Sequence, residues 1–97
     1  MDFAIYVHGS VPSTQDLSVW NRNTGRSLLG LYSPTYGIRV FNFPDAAGNL
    51  AYADEAQEND IQRLKEVIEQ TPKNIKNLVL HGVSRGAAII FIKFFKS

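Results

Sequence analysis

A serine between two glycines is the feature of this sequence whose residue types and spacing could do chemistry. Residues 78–91 read LVLHGVSRGAAIIF, with Ser84 between Gly82 and Gly86 and an apolar run on either side. A G-x-S-x-G pattern that directly follows a buried strand and directly opens a helix is typical of a nucleophile elbow, a sharp turn that exposes the serine hydroxyl. The glycines would let strand and helix approach closely. We therefore interpret Ser84 as a nucleophile, with simple helix capping as the alternative.

A serine nucleophile needs a base, which in turn needs an orienting group, and this sequence offers few of either. Residues 85–97 contain no acid and no histidine. His8 follows an apolar run and is a candidate base, although a histidine in an HG turn more often braces the loop. The side chain of His81 should be held by its strand, and two histidines without a carboxylate make a poor metal site. Asp45 is interpreted as a polar turn residue after Pro44.

The elements that must position these residues follow from the hydrophobic pattern. Three apolar, extended runs predict strands, and three stretches with helical spacing predict helices: strands at 3–7, 37–44 and 77–80, and helices within 12–34, over 54–70 and from 84 onward. Alternating strands and helices predict an α/β fold with a parallel sheet of about three strands and helices on both faces. Ligands in such folds bind at the carboxyl ends of the strands, where His8, Asp45 and His81 should all lie.

The helices differ in how clearly the sequence defines them. In the first, Leu17, Trp20, Leu28 and Leu31 share one face, but Gly25 and Gly30 weaken the pattern. In the second, Ile61, Leu64, Val67 and Ile68 form an apolar stripe. Acids gather toward its amino end, where the helix dipole favours them, and we interpret them as a solvated face: Asp54, Glu55, Glu58 and Asp60.

Composition bounds the class of protein. The 97 residues fit a single domain over 1–97, and a formal charge of +1 gives no reason to expect nucleic acid. Cysteine is absent, which excludes disulfides and thiolate metal sites, and the first residues do not form a secretory signal, so a cytoplasmic location is expected. We expect no metal or cofactor. The longest apolar stretch, residues 87–95, is too short to span a membrane.

The pairing of IYVHGS near the start with LHGVSRGA near the end, and an FNFPD strand between them, resembles the α/β-hydrolases. The resemblance covers residues 3–95. It implies that the strand ending in HG lies beside the strand ending in the serine, and that Ser84 attacks a small-molecule acyl substrate. It also implies an oxyanion hole formed by the backbone N–H groups of Arg85 and, less securely, Ser10. The family's acid and histidine follow the serine in the chain, and here residues 85–97 provide neither.

The last helix adds evidence that the hydrolase is incomplete. Residues 87–95, AAIIFIKFF, are apolar on nearly every side, and such a helix needs burial all round, which three strands cannot provide. We therefore expect the front part of a longer serine hydrolase for esters, thioesters or amides, inactive or nearly so alone. Alternatively, a second copy or another partner covers this apolar helix.

Two other functions stay open at this stage. A working hydrolase would take its base from His8 or from a partner chain. A non-catalytic binding module would hold an anion such as phosphate, or a partner chain, at the glycine-rich turn and helix amino end. GVSRG lacks the lysine-before-hydroxyl order of a phosphate loop, and we expect the Arg85 side chain to face solvent.

Overall fold

The computed structural model describes residues 2–12, 17–29, 31–32 and 35–96. Strands and helices alternate along the chain: β1 (Asp2–Val7), α1 (Leu17–Leu29), β2 (Tyr36–Val40), α2 (Asp54–Glu69), β3 (Asn77–Gly82) and α3 (Arg85–Phe91). A 3-10 turn (Pro44–Ala46) precedes α2, and a π-helical segment (Ile92–Lys96) continues α3. The order of elements is the one that the hydrophobic pattern predicts.

The three strands form one parallel sheet in the order β2-β1-β3. On one side of β1, Phe3 is in register with Gly37, and on the other side Val7 is in register with Gly82. The predicted α/β fold with a three-stranded parallel sheet is therefore confirmed. The strand that ends before His8 lies directly beside the strand that ends before Ser84, so the two loops meet at one edge of the sheet.

Successive side chains along β1 point to opposite faces of the sheet. Ile5 and Val7 point to the face covered by α2 and α3, where they share a core with Leu64 and Ile89. Tyr6 points to the other face, where its hydroxyl bonds to Thr24 of α1. All of these side chains except Thr24 are buried, so helices cover both faces of the sheet. Gly37 is required beside β1, since an added Cβ would lie 2.5 Å from the Phe3 ring.

The end of the second strand and the apolar face of the first helix differ from the sequence prediction. The second strand ends at Val40 instead of reaching Pro44, because Phe43 turns into the core and its N–H bonds to the His8 ring rather than to a neighbouring strand. Leu31 lies beyond the end of α1 and is exposed, so it does not share the apolar face of that helix. Of the other residues predicted on that face, the side chains of Trp20 and Leu28 lie outside what the structure describes.

The carboxyl-terminal helix is incompletely covered. Ile89 is fully buried against the core, whereas Phe91, Phe94 and Phe95 are about half to three-quarters exposed at 53%, 48% and 74%. The rings of Phe91 and Phe95 stack with centroids 5.5 Å apart. The sheet thus buries one side of this helix and leaves an aromatic surface on the other. Within the described residues, no helix combines the length and apolar character needed to cross a bilayer.

Candidate functional site

Ser84 has the most unusual backbone in the described part of the chain. It has φ 55° and ψ −118°, and among the described residues it is the one non-glycine position with positive φ. This conformation is strained for a residue with a Cβ. Ser84 occupies the N-cap position of α3, yet its side chain makes no capping hydrogen bond. The exposed hydroxyl is therefore not used to cap the helix, which was the alternative explanation for a serine here.

The glycines on either side of Ser84 let β3, α3 and β1 approach closely. A Cβ added at Gly86 would lie 1.9 Å from the carbonyl oxygen of Val7, and one added at Gly82 would lie 2.7 Å from the backbone of Ala87. Both distances are far inside van der Waals contact. A side chain at position 86 would collide with the backbone of Val7 and His8, so the close approach of β1 and the start of α3 depends on this glycine.

The loop after β1 borders Ser84 directly. A Cβ added at Gly9 would lie 3.2 Å from the Ser84 Cβ and 3.9 Å from its Oγ. Ser10, the next residue, is exposed. Within the described segments, the Ser10 and Arg85 N–H groups donate to no backbone carbonyl outside their own elements. The loop after β1 is held at Val11, whose N–H donates to the Ala46 carbonyl at 2.9 Å.

A tyrosine that the sequence did not single out lies at the same place. Tyr52, in the loop before α2, has an exposed phenol near the hydroxyl groups of Ser10 and Ser84. The Ser10 hydroxyl first, and then that of Ser84, lower the pKa of the Tyr52 phenol, because donors near the phenol oxygen favour its ionised form. The ring itself is 57% exposed. Three hydroxyl groups from three different loops therefore meet at the carboxyl end of the sheet.

His8 is fully buried, and both of its ring nitrogens are engaged with the backbone. Nδ1 lies 2.8 Å from the Gly9 carbonyl oxygen, to which it must donate, while Nε2 accepts the Phe43 N–H at 3.0 Å. This pairing selects the neutral ring with its proton on Nδ1. Burial is the main cause that lowers the pKa of His8. The arrangement favours the bracing role for His8 over the role of base, because the lone pair that would accept the Ser84 proton is already occupied.

The other two candidates at this edge also have partners. The Nδ1 atom of His81 lies 2.7 Å from the Tyr32 hydroxyl, and its ring tilts against Tyr6 on the α1 face of the sheet. Asp45, in the 3-10 turn, pairs with Arg63 of α2. That guanidinium is the main reason why the pKa of Asp45 is lowered. Among the described residues, no side-chain hydrogen bond joins Ser84 to His81 or to Asp45.

The Arg85 side chain does not face solvent as expected; it is buried, at 1% exposure. Its NH1 group binds the Asp60 carboxylate at 2.7 Å, Nε donates to the Ala51 carbonyl at 2.5 Å, and NH2 donates to that of Ala56 at 3.2 Å. The expectation for Asp60 was equally wrong, since it is fully buried rather than part of a solvated acidic face. The two errors have one cause: each charge is stable in the interior because it faces the other.

Arg63 extends this buried ion pair to the surface. Its NH1 group binds the second oxygen of Asp60 at 2.6 Å and also Asp45, so two arginines and two aspartates form one neutral cluster. The carboxylates, Asp45 first, raise the pKa of Arg63. The cluster joins the 3-10 turn, α2 and the start of α3.

One of the missed residues left a signal in the sequence. Ala56, Asp60 and Leu64 are spaced four apart on α2, and all three are buried. An acid on the buried stripe of a helix indicates a buried cationic partner, so Asp60 could have been recognised as an interior residue. Tyr52 left no such signal, because it lies in a loop without periodicity.

Comparisons of the chain with family models, curated proteins and solved structures found no match. The site is therefore interpreted from its own geometry. Within the described residues, no group of three His, Asp or Glu side chains is placed to hold a metal ion.

Proposed function

We propose that this chain carries the nucleophile of a serine-hydrolase site, built for acyl transfer from esters, thioesters or amides through an acyl-enzyme. The observation that carries the proposal is the strained, exposed Ser84 between a parallel strand and a helix. Strain of this kind is retained where the surrounding structure enforces it, and it is concentrated at active sites. Here Gly86 permits the close approach of α3 to β1 that accompanies this turn, since an added Cβ would lie 1.9 Å from the Val7 carbonyl oxygen.

The neighbouring loop supports the same proposal. In α/β-hydrolases, which this sequence resembles, the HG strand lies next to the serine strand, and β1 and β3 have that relation here. The backbone N–H groups of Arg85 and Ser10 are the proposed oxyanion hole. They would bind the substrate oxygen as negative charge develops on it, and one such donor typically contributes about 3 kcal/mol to the transition state. The burial of the Arg85 side chain suits this role, because it anchors the residue whose N–H must point outward.

We further propose that acylation by this chain is not followed by efficient turnover. Residues 85–97 provide neither an acid nor a histidine, and His8 is committed to the backbone of Gly9 and Phe43. A triad would need both groups from another segment or from a partner chain. We propose a cytoplasmic location, which a chain without cysteine permits.

The alternative function, a module that binds an anion at the same turn, has less support. Its natural side-chain ligand was Arg85, and that guanidinium is buried and bonded to Asp60 and two carbonyl groups. A partner chain on the exposed aromatic side of α3 and its extension is compatible with the proposed hydrolase site, because Phe91, Phe94 and Phe95 are not among the residues proposed to form that site.

Labelling with a fluorophosphonate probe tests the proposed function. We expect a covalent adduct on Ser84, located by peptide mass spectrometry, with no adduct in Ser84→Ala. Ser27→Ala is the matched control, since Ser27 is an exposed serine of α1 whose hydroxyl bonds to the Asn23 carbonyl. It should label like the wild type. A wild-type protein that stays unlabelled, or that is labelled equally after Ser84→Ala, would refute the proposal.

A further inference from the structure

The His8 side chain joins the loop after β1 to the segment after β2. Its Nε2 atom accepts the Phe43 N–H at 3.0 Å, and the two rings meet edge to face with centroids 5.5 Å apart. Two backbone bonds of Val11 join the same segments, at 2.9 Å to Ala46 and at 3.0 Å to Gly48. Those backbone bonds do not titrate. The bond between His8 and Phe43 does, because its acceptor is an imidazole nitrogen.

The position of the His8 ring has no place for a second ring proton. The ring is fully buried, and its Nδ1 atom, 2.8 Å from the Gly9 carbonyl oxygen, must donate. A proton on Nε2 would turn the acceptor into a donor and set it against the Phe43 N–H. It would also leave a charge in the interior without a partner, which is costly. The ring can therefore gain a proton only when it leaves this position.

The charged groups that face His8 do not remove this conflict. From α2, Asp60 favours a proton on the ring, and from α3, Arg85 opposes it. These two side chains bind each other at 2.7 Å, and Arg63 and Asp45 complete a neutral cluster around them. Asp60 is therefore committed to arginine rather than to an imidazolium. Burial, the largest cause, lowers the pKa of His8 below its ordinary value of 6.5, although the backbone carbonyl beside the ring opposes the shift.

The loop that His8 holds is packed against the turn at Ser84. A Cβ added at Gly9 would lie 3.1 Å from the Val83 carbonyl oxygen and 3.2 Å from the Ser84 Cβ. Ser10, whose N–H is proposed for the oxyanion hole, is the next residue. A movement of the His8 ring would therefore displace the backbone that borders the serine. The consequence for acylation rests on the proposed function of Ser84.

We propose that the bond between His8 and Phe43 is an acid-sensitive latch, which opens when Nε2 binds a proton from solvent and then releases the loop after β1 from its place beside Ser84. The proton occupies the Nε2 lone pair, and no covalent bond between other atoms changes. At neutral pH the closed latch holds the Ser10 N–H near that of Arg85. In mild acid the open latch lets these two donors separate, and the proposed oxyanion hole is lost.

The sign of the pH dependence follows from the two states of the ring. The released ring binds a proton with its ordinary pKa of 6.5, whereas the closed ring has a lower pKa. The open form therefore binds more protons between those two values, and acid favours it. The stability of the latch is complete above pH 6.5 and is lost progressively as the pH falls from there toward the lower pKa of the closed ring.

Hydrogen exchange at the Phe43 amide, followed by NMR, tests the latch. Its protection factor, the exchange rate of an unstructured chain divided by the observed rate at the same pH, should fall about five- to tenfold between about pH 7.5 and 5.5. Phe43 should also be less protected than Ile5 in β1, because the latch opens without unfolding the sheet. Equal protection of these two amides at both pH values would mean that His8 is released only by global unfolding, which would refute the latch.

A substitution at His8 separates this effect from other titrations. The side-chain oxygen of His8→Gln can accept the Phe43 N–H but binds no proton in this pH range, so the protection factor of Phe43 should change less than about twofold. His81→Gln is the matched control, since the His81 ring bonds to the Tyr32 hydroxyl instead of this loop. It should keep the wild-type change. A fall in His8→Gln as large as in the wild type would contradict the latch.

NMR of the ring nitrogens tests the wild type without any substitution. We expect the His8 proton on Nδ1 at neutral pH. A proton on Nε2 instead, or a His8 ring that titrates with the ordinary pKa of 6.5, would overturn the proposal.

Fluorophosphonate labelling tests the link between the latch and the site. Labelling of Ser84 should slow more between about pH 7.5 and 5.5 in the wild type than in His8→Gln, because only the wild type opens the latch. An equal loss in both proteins would refute this link. If the exchange tests succeed but Ser84 is not labelled at neutral pH, the proposed function fails and the latch stands. If Ser84 is labelled but the protection of Phe43 does not depend on His8, the latch fails and the nucleophile proposal survives.

Discussion

At the scale of single residues, Ser84 combines a strained backbone with an exposed hydroxyl. Its positive φ carries a cost of the order of 1–3 kcal/mol for a residue with a Cβ. Serine gains no capping bond in return. A strained residue whose side chain does not cap its helix is consistent with the proposed role of the Ser84 hydroxyl.

The strain at position 84 leads to a comparison of two variants. Ser84→Gly and Ser84→Ala both remove the hydroxyl, but only glycine removes the Cβ that conflicts with φ 55°. We expect Ser84→Gly to be more stable to urea than Ser84→Ala by about 1 kcal/mol, because relief of strain exceeds the entropy that glycine adds to the unfolded chain. Equal stabilities, or a more stable alanine variant, would show that the turn is not strained.

At the scale of the elements, the buried pair of Asp60 and Arg85 joins α2 to α3, and Arg85 also holds the loop before α2 through the Ala51 carbonyl. Both side chains are within 1% of full burial. Such a pair is a modest source of net stability, since each ion loses its hydration. Its larger effect is on specificity: it aligns the residue after Ser84 with the loop that carries Tyr52.

Removal of one charge of this pair should destabilise the protein much more than replacement of both residues by apolar ones. Arg85→Met leaves Asp60 buried with only Arg63 as a partner, and we expect a loss of about 3 kcal/mol in the free energy of unfolding. Arg85→Met combined with Asp60→Leu should recover most of that loss, because no buried charge remains.

Urea unfolding of the three proteins, followed by circular dichroism, measures these differences. Glu58→Leu, an exposed acid of the same helix, is the control for the aspartate substitution and should change stability by less than about 0.5 kcal/mol. A double variant that is less stable than Arg85→Met would contradict the electrostatic explanation.

At the scale of the whole molecule, the sheet is too small for its helices. Three strands provide two faces, and α3 with its π-helical extension has apolar side chains that neither face reaches. The exposed rings of Phe91 and Phe95 stack on each other and the Lys93 ammonium lies over the Phe94 ring. Aromatic surfaces of this kind tend to mark interaction sites.

We expect this aromatic surface to mediate self-association. Sedimentation velocity at increasing concentration should show the average mass rising for the wild type, and Phe91→Ser with Phe95→Ser should weaken association at least tenfold, because each buried phenylalanine contributes about 1.5–3 kcal/mol. Leu31→Ser is the control, since Leu31 is about as exposed as Phe95 and lies elsewhere. A wild type that stays monomeric at all concentrations would contradict this expectation.

Local patterns in the sequence determined most of the elements. The apolar runs of β1 and β3, the stripe on α2 and the glycine-flanked serine depend on neighbours a few residues apart, and such periodicity can be read directly. The end of β2 could not be predicted from such local patterns, because Phe43 leaves the sheet and its N–H donates to the ring of His8, 35 residues away.

By itself, then, the sequence determined a three-stranded α/β unit with a serine on the turn between its last strand and last helix. Only the tertiary structure decided that Asp60 and Arg85 are interior partners, 25 residues apart, and that Tyr52 lies near Ser84. The physical reason is that a charge or hydroxyl acquires its role from the groups packed around it. Those groups come from distant segments, and folding alone brings them together.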